Sequence, residues 1–298
     1  MSNINFFRVL QSGGTGGTPS PELWGDRVEN TPTEYDYDND VPAGFLRDGI
    51  YAKSDGSEIY ILNNTDHKVY QWSMSTNHDL STISYTGVSG NIETNWPSGT
   101  ANGLFFNSSG TKLFSYGFTT LTLYAHTLST AWDITSISLT VAQSVTFNIT
   151  STYNRVNQFA FTDDGKKLII MAGTTAGIHK VRRYSFSTGF DLSTINNTSG
   201  DDTLDLSFTF PEFASNSVAF INPEDNTGDE FIALVKRDRG DGNKLGFDQY
   251  NGYSSTNVIS YYEDINNSSA EIQSITNTLY MYTTGGGEIL LQYDISST

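Results

Sequence analysis

One phrase returns three times along this chain and does more than any other feature to limit its fold. Asp79-Leu80-Ser81-Thr82-Ile83-Ser84, Asp133-Ile134-Thr135-Ser136-Ile137-Ser138 and Asp191-Leu192-Ser193-Thr194-Ile195-Asn196 begin 54 and 58 residues apart. Upstream of each stands a second shared unit: Asp55-Gly56 before Ile59-Tyr60-Ile61-Leu62, Ser109-Gly110 before Leu113-Phe114, and Asp164-Gly165 before Leu168-Ile169-Ile170. A small polar residue followed by Gly supplies the positive φ of a tight hairpin turn. Apolar stretches precede each turn (50–54, 104–108 and 159–163), and others follow (69–74, 121–128 and 181–186).

Two weaker copies complete the series. One holds Val218-Ala219-Phe220 and Phe231-Ile232-Ala233-Leu234 around an enlarged turn at 222–228. The last holds Ile272, Leu279-Tyr280-Met281-Tyr282 and the stretch 289–295. Ile59, Leu113, Leu168, Phe231 and Leu279 are equivalent, at separations of 54, 55, 63 and 48. A unit of this length with four short antiparallel strands is a propeller blade. A parallel β-helix has a much shorter period, and no segment sustains a helical one. The sequence therefore predicts an all-β fold: a single β-propeller of about five four-stranded blades. The blades lie near 46–100, 101–155, 156–213, 214–269 and 270–298, with an N-terminal extension at 1–45. Aromatic residues at 13% and charged residues at 16% suit such a chain.

The last copy stops after its third strand, which leaves an edge to be covered. Ile4-Asn5-Phe6-Phe7-Arg8-Val9-Leu10 reads in two ways. Phe6, Phe7, Val9 and Leu10 belong either to a closing strand or to an assembly arm that docks on another subunit. In the first role loss of the segment lowers thermal stability. In the second it abolishes incorporation into a particle and leaves the disc folded. Residues 11–20 form a Gly-rich linker, and 21–42 are acidic with little strand pattern.

The net charge is −17, from 16 basic and 33 acidic side chains. Nucleic-acid binding draws its affinity from Lys and Arg, so no nucleic-acid partner is expected. The absence of Cys excludes disulfides and thiolate metal sites. No apolar run approaches the ~20 residues of a membrane span, and residues 1–11 do not read as a secretory signal; no membrane insertion is expected.

Gly103-Leu104, Gly110-Thr111-Lys112-Leu113 and Ser129-Thr130-Ala131-Trp132-Asp133 resemble a propeller repeat of phage virion and environmental bacterial surface proteins, with its Ser-Thr-Ala-Trp-Asp signature. The resemblance covers residues 46–200 well and 214–298 loosely. It implies a virion structural protein (a tail, fibre or capsid-decoration component) whose partners are other virion subunits, with a virion location. The alternatives are an extracellular carbohydrate-binding propeller that contacts a host-surface glycan or protein, and a polysaccharide hydrolase or lyase. Propellers host many activities, so the fold does not choose among them.

Candidate site residues follow from the blade plan. Asp48, Asn102, Asn157 and Asn216 precede the innermost strands at spacings of 54, 55 and 59. They define a polar ring at one mouth of the axis, suited to a ligand or cation, though turn chemistry selects the same residue types. The same face carries two enlarged loops, 172–180 and 236–244. In the second, Arg237, Asp238, Arg239 and Asp241 make a local charge cluster suited to an acidic glycan or a partner carboxylate. Asp36, Asp38 and Asp40 are spaced like the start of a calcium loop, but Val41 and Arg47 stand where that loop needs Gly and an acid. His67, His78, His126 and His179 lack ligand spacing. No catalytic motif is present, and no pair among the many carboxylates stands out as a glycosidase couple.

Overall fold

Each Asp-Gly or Ser-Gly pair closes a hairpin. In the first blade Gly56 N donates to Lys53 O at 2.7 Å, and Gly56, Gly110 and Gly165 share φ near +68° (69°, 68° and 68°). Only Gly adopts that conformation without a Cβ penalty. The computed structural model describes residues 33–36, 40–41, 47–63, 65–95, 101–117, 120–149, 155–173, 179–206, 217–220, 226, 228, 230–238, 243–251, 259–263, 269–275, 278–284 and 289–294.

Twenty strands lie among the described residues, in five four-stranded antiparallel sheets. The first blade holds β2 (Arg47–Ala52), β3 (Glu58–Asn63), β4 (Lys68–Met74) and β5 (Ile83–Val88). The second holds β6 (Ala101–Phe106), β7 (Lys112–Gly117), β8 (Thr122–Thr127) and β9 (Gln143–Thr146). The third holds β10 (Arg155–Phe161), β11 (Lys167–Gly173), β12 (His179–Ser185) and β13 (Asp202–Leu206). The fourth holds β14 (Ser217–Phe220), β15 (Glu230–Asp238), β16 (Asn243–Asn251) and β17 (Ile259–Glu263). The fifth holds β18 (Ser269–Ile275), β19 (Thr278–Thr284), β20 (Ile289–Asp294) and, from the other end of the chain, β1 (Thr33–Asp36). The innermost strands touch in a circuit: β2 meets β6, β6 meets β10, β10 meets β14, β14 meets β18, and β18 returns to β2. The chain is a β-propeller.

The closing strand corrects one expectation. It is Thr33-Glu34-Tyr35-Asp36, paired antiparallel with β20 from Thr33↔Gln292 to Asp36↔Ile289. The apolar segment containing Phe6, Phe7, Val9 and Leu10 does not fill that slot, and it lies outside the described residues. An outermost strand faces solvent on one side and needs little apolar character. Tyr35 and the nearby Val41 supply what is required, packing on the Ile50, Ile59, Tyr70 and Trp72 cluster of the first blade. Asp40 accepts from Trp72 Nε1 at 3.0 Å and from the Tyr35 hydroxyl. The closing strand thus joins the fifth blade and latches onto the first.

The core lies between blades. In β3, Ile59 and Ile61 face away from the second blade while Tyr60 and Leu62 face toward it, so both faces are covered and the run is apolar throughout. Each such side chain contributes about 1.5–3 kcal/mol on burial. Tyr60, Trp72, Phe114 and Tyr184 are all within 1% of complete burial, so these aromatics pack between sheets.

The recurring Asp phrase forms a single 3-10 turn in each of the first three blades: Leu80–Thr82, Ile134–Ser136 and Leu192–Thr194. Asp79, Asp133 and Asp191 cap these turns through the N–H of Ser81, Thr135 and Ser193. The residue before each Asp is also left-handed: His78 at φ 60°, Trp132 at 66° and Phe190 at 56°. That conformation lays its ring on the hairpin Gly. A Cβ on Gly56, Gly110 or Gly165 would sit 2.3 Å from the facing ring.

Blades are then stitched together through these turns. Trp132 O accepts from Tyr60 Oη at 2.7 Å and from Gln71 Nε2 at 3.0 Å, while Gln71 Oε1 accepts from Ile134 N at 3.1 Å. At the next seam Lys112 Nζ donates to Phe190 O at 2.9 Å, and Gln143 Nε2 donates to Asp191 Oδ1 at 2.8 Å.

Two stability outcomes are expected. Extending a deletion of residues 1–32 to remove 33–41 as well strips the fifth blade of its outer strand and the first of its Asp40 latch. The thermal midpoint should drop by at least about 5 °C relative to the shorter deletion; equal midpoints would show that β1 does not close the ring. Gly110→Ala combines a disfavoured φ with a clash against the Trp132 indole. It should cost about 2–4 kcal/mol in urea denaturation.

Candidate functional site

Antiparallel order puts the start of each innermost strand and each second-to-third-strand hairpin on one face. Asp48, Asn102 and Asn157 lie at that face, beside a repeated irregularity. The register of β2 slips between Arg47 and Gly49, that of β6 between Asn102 and Leu104, and that of β10 between Val156 and Gln158. Each slip is a β-bulge, which bends the strand and re-aims the residue. Asp48 and Asn157 are the extra residues of two bulges, and Asn102 immediately precedes the third, Gly103. Asn216 lies outside the described residues, as do the side chains of Asp48 and Asn157.

At the bulges the innermost strands press together. A Cβ on Gly49 would lie 2.8 Å from the Gly103 carbonyl carbon and from Leu104 N. A Cβ on Gly103, whose φ is +67°, would lie 2.5 Å from Gln158 Oε1. Glycine here permits backbone-to-backbone approach near the axis. Asn102 Oδ1 is buried and has no hydrogen-bond partner among the described residues.

The second predicted patch is strand for most of its length, which corrects its reading as a loop. Arg237 and Asp238 end β15, opposite Lys244 and Asn243 of β16. Only 239–242, with Arg239 and Asp241, lie beyond the paired residues and outside those described. β15 and β16 are nine residues each, against six or seven in β3, β4, β7, β8, β11 and β12. In the 172–180 segment β11 reaches Gly173 and β12 starts at His179, and 174–178 lie outside the described residues.

Of the calcium candidates, Asp40 is engaged by Trp72 and Tyr35, Asp36 is exposed, and Asp38 lies outside the described residues. Among the described residues no group of three or more His, Asp or Glu side chains is placed to hold a metal. Asn226, between β14 and β15, accepts from Asp164 N at 2.9 Å and so ties the fourth blade to the third.

The histidines have separate environments. His78 covers Gly56, and His67 Nδ1 lies 3.0 Å from Glu93 Oε1. The His179 side chain is outside the described residues. His126 pairs with Leu113 as Trp72 pairs with Ile59 and Tyr184 with Leu168, and it is fully buried. Its Nδ1–H donates to Ser138 O at 3.0 Å, since a carbonyl can only accept. Burial holds its pKa below the usual imidazole value, partly offset by that bond.

Sequence reasoning passed over one group. Arg182 and Arg183 are neighbours in β12, so their side chains leave opposite faces of a strand covered on both. Arg182 is 7% exposed and reaches the seam with the second blade, where Nη1 donates to Asn148 O, beside the Tyr184 hydroxyl. The adjacency of two cations inside an apolar third strand was the available signal.

No protein-family model matches the chain, and no curated protein matches it. Among solved structures it is similar to Kuenenia stuttgartiensis hydrazine synthase, at 12% identity and a TM-score of 0.46, over 84% of this chain and 59% of that one. The chain thus spans well under two thirds of that relative. It is also similar to the Cps50 (Swd1) β-propeller domain of Myceliophteria thermophila, at 13% identity and a TM-score of 0.46, over 85% of this chain and 71% of that one.

The environment of His126 generates a pH dependence. The unfolded chain binds its proton near pH 6.5 and the folded chain only at lower pH, so this contribution is intact above about 6.5 and lost as pH falls below it. Urea midpoints measured from pH 8 to 5 should decline on the acid side. The decline should be shallower in His126→Tyr, which carries the residue of the third blade. Parallel profiles would mean that His126 does not titrate between the two states.

Proposed function

We propose that this chain is a non-enzymatic accessory protein of a tailed-phage virion, a rigid disc that docks on neighbouring subunits through one face. The unequal fourth blade carries this reading. The β15–β16 ladder is two or three residue pairs longer than the equivalent ladders of the first three blades, about 7–10 Å of added paired strand. The segment contains Lys236, Arg237, Arg239 and Lys244 in a chain of net charge −17. A basic finger on an acidic disc gives orientation to an encounter with an acidic partner surface. The resemblance of the repeat to virion proteins supports the same partner class, and the interlocked blades suit a part that must not deform.

Lys236 and Lys244 make the test direct. Amine cross-linking and mass spectrometry on the intact particle should join one or both to capsid or tail subunits. Charge reversal, Arg237→Glu with Lys244→Glu, should reduce incorporation at least about tenfold while leaving the thermal midpoint within about 2 °C. Recovery of the chain only as a free monomer would defeat the proposal and turn attention to an extracellular glycan-binding or glycan-cleaving role.

A further inference from the structure

The fourth blade sets two cations opposite one another. In the register of β15 and β16, Arg237 stands directly across from Lys244. Directly opposed residues share one face of a ladder, with Cβ atoms about 4.5–5.5 Å apart, and like charges so placed repel. The next row on that face holds Val235, Gly246 and, in β17, Tyr262. No carboxylate stands in those two rows among the described residues; Asp248 enters one row lower, opposite Ala233. Asp238 and Glu263 fall in the alternate rows and so on the other face, with Lys236. A negative group held between the two cations turns their repulsion into a pair of charge-assisted hydrogen bonds.

The face that carries the pair belongs to one side of the blade. In the second blade Leu113 shares a cluster with Tyr60 and Leu62 of the first, and in the third Leu168, Ile170 and Ala172 share one with Phe114 and Tyr116 of the second. Residues in step with the anchor position thus lie on the side of the preceding blade. Phe231 is the anchor of the fourth blade, and Arg237 stands six residues on, in the same step. The Arg237–Lys244 row is therefore on the side of the third blade. That blade's own ladder ends at Gly173↔His179, five residues past Leu168, so the row stands one step beyond it.

We propose that Arg237 and Lys244 together hold one carboxylate of an acidic segment on the neighbouring subunit, which approaches the tip from the third-blade side. This rests on the docking reading above and adds the group recognised and the side of approach. A carboxylate offers two oxygens, one for the planar guanidinium and one for the ammonium. On the other face Lys236 is followed by Asp238, a mixed pair with no opposed cation.

The test is carbodiimide coupling on the intact particle, which joins a lysine to a carboxylate only where the two are in contact. Lys244 should be linked to an Asp or Glu of another subunit, and Lys236 should not. Arg237→Gln and Lys244→Gln should each lower incorporation about fivefold, against less than about twofold for Lys236→Gln. Each of the first two removes a like-charge repulsion, so neither should lower the thermal midpoint of the free chain. Particles that hold the chain but show no link from Lys244 to a carboxylate, a link at Lys236 instead, or equal losses in all three variants would each overturn the site and leave the docking reading standing. A chain absent from the particle would overturn both.

Discussion

Trp132 sits over Gly110 in a left-handed conformation, and its carbonyl is thereby turned toward the preceding blade, where Tyr60 and Gln71 donate to it. Phe190 over Gly165 presents its carbonyl to Lys112 in the same way. One local choice, glycine under an aromatic ring, thus sets the height of the turn, the start of the outer strand and the bond to the next blade. The Asp that follows holds the turn in shape through a side-chain bond to the N–H two residues on. Apolar contact between sheets is strong but carries no direction, and these bonds add it. At these two seams the carbonyl contacts fix the rotation of one sheet relative to the next.

The parts of the sequence that could be read were those whose chemistry repeats. Hairpin glycines, paired apolar strands and the Asp phrase announced the propeller, because each blade must solve the same turn and packing problem. His126 was assignable to packing for the same reason, since Trp72 and Tyr184 occupy its position in the other blades. The closing strand was misplaced because an outer strand needs few apolar residues. Thr33-Glu34-Tyr35-Asp36 has no visible advantage over Ile4-Asn5-Phe6-Phe7 until its partner β20 and its latch on Trp72 are in view. The Lys236–Lys244 segment read as a loop because charge density suggests solvent, whereas long hairpins extend into solvent as paired strand. Asp48, Asn102 and Asn157 were legible as repeated positions, but the bulges beside them are invisible without the register.

The charge of the molecule is unevenly used. The whole is strongly acidic, yet β12 carries Lys180, Arg182 and Arg183 within four residues, and the tip of the fourth blade carries another basic group. Acidic character spread over a surface keeps like particles apart. Concentrated basic character has a position and an orientation, and so it can specify contact. The two basic groups differ in setting: one ends the paired strands β15 and β16, and in the other Arg182 is buried in a seam beside Tyr184.

The outer strand of the fifth blade is made first and seated last. During synthesis β1 leaves the ribosome more than 250 residues before its partner β20 exists. Until then the partial ring has an open edge at both ends, and β1 must remain extended and unpaired. Contacts this far apart in sequence make folding slow. Once seated, though, the strand cannot leave unless the first blade also releases Asp40. Such a ring resists opening mainly through a high barrier to escape, so it persists on the scale of its unfolding rate even where its equilibrium stability is ordinary.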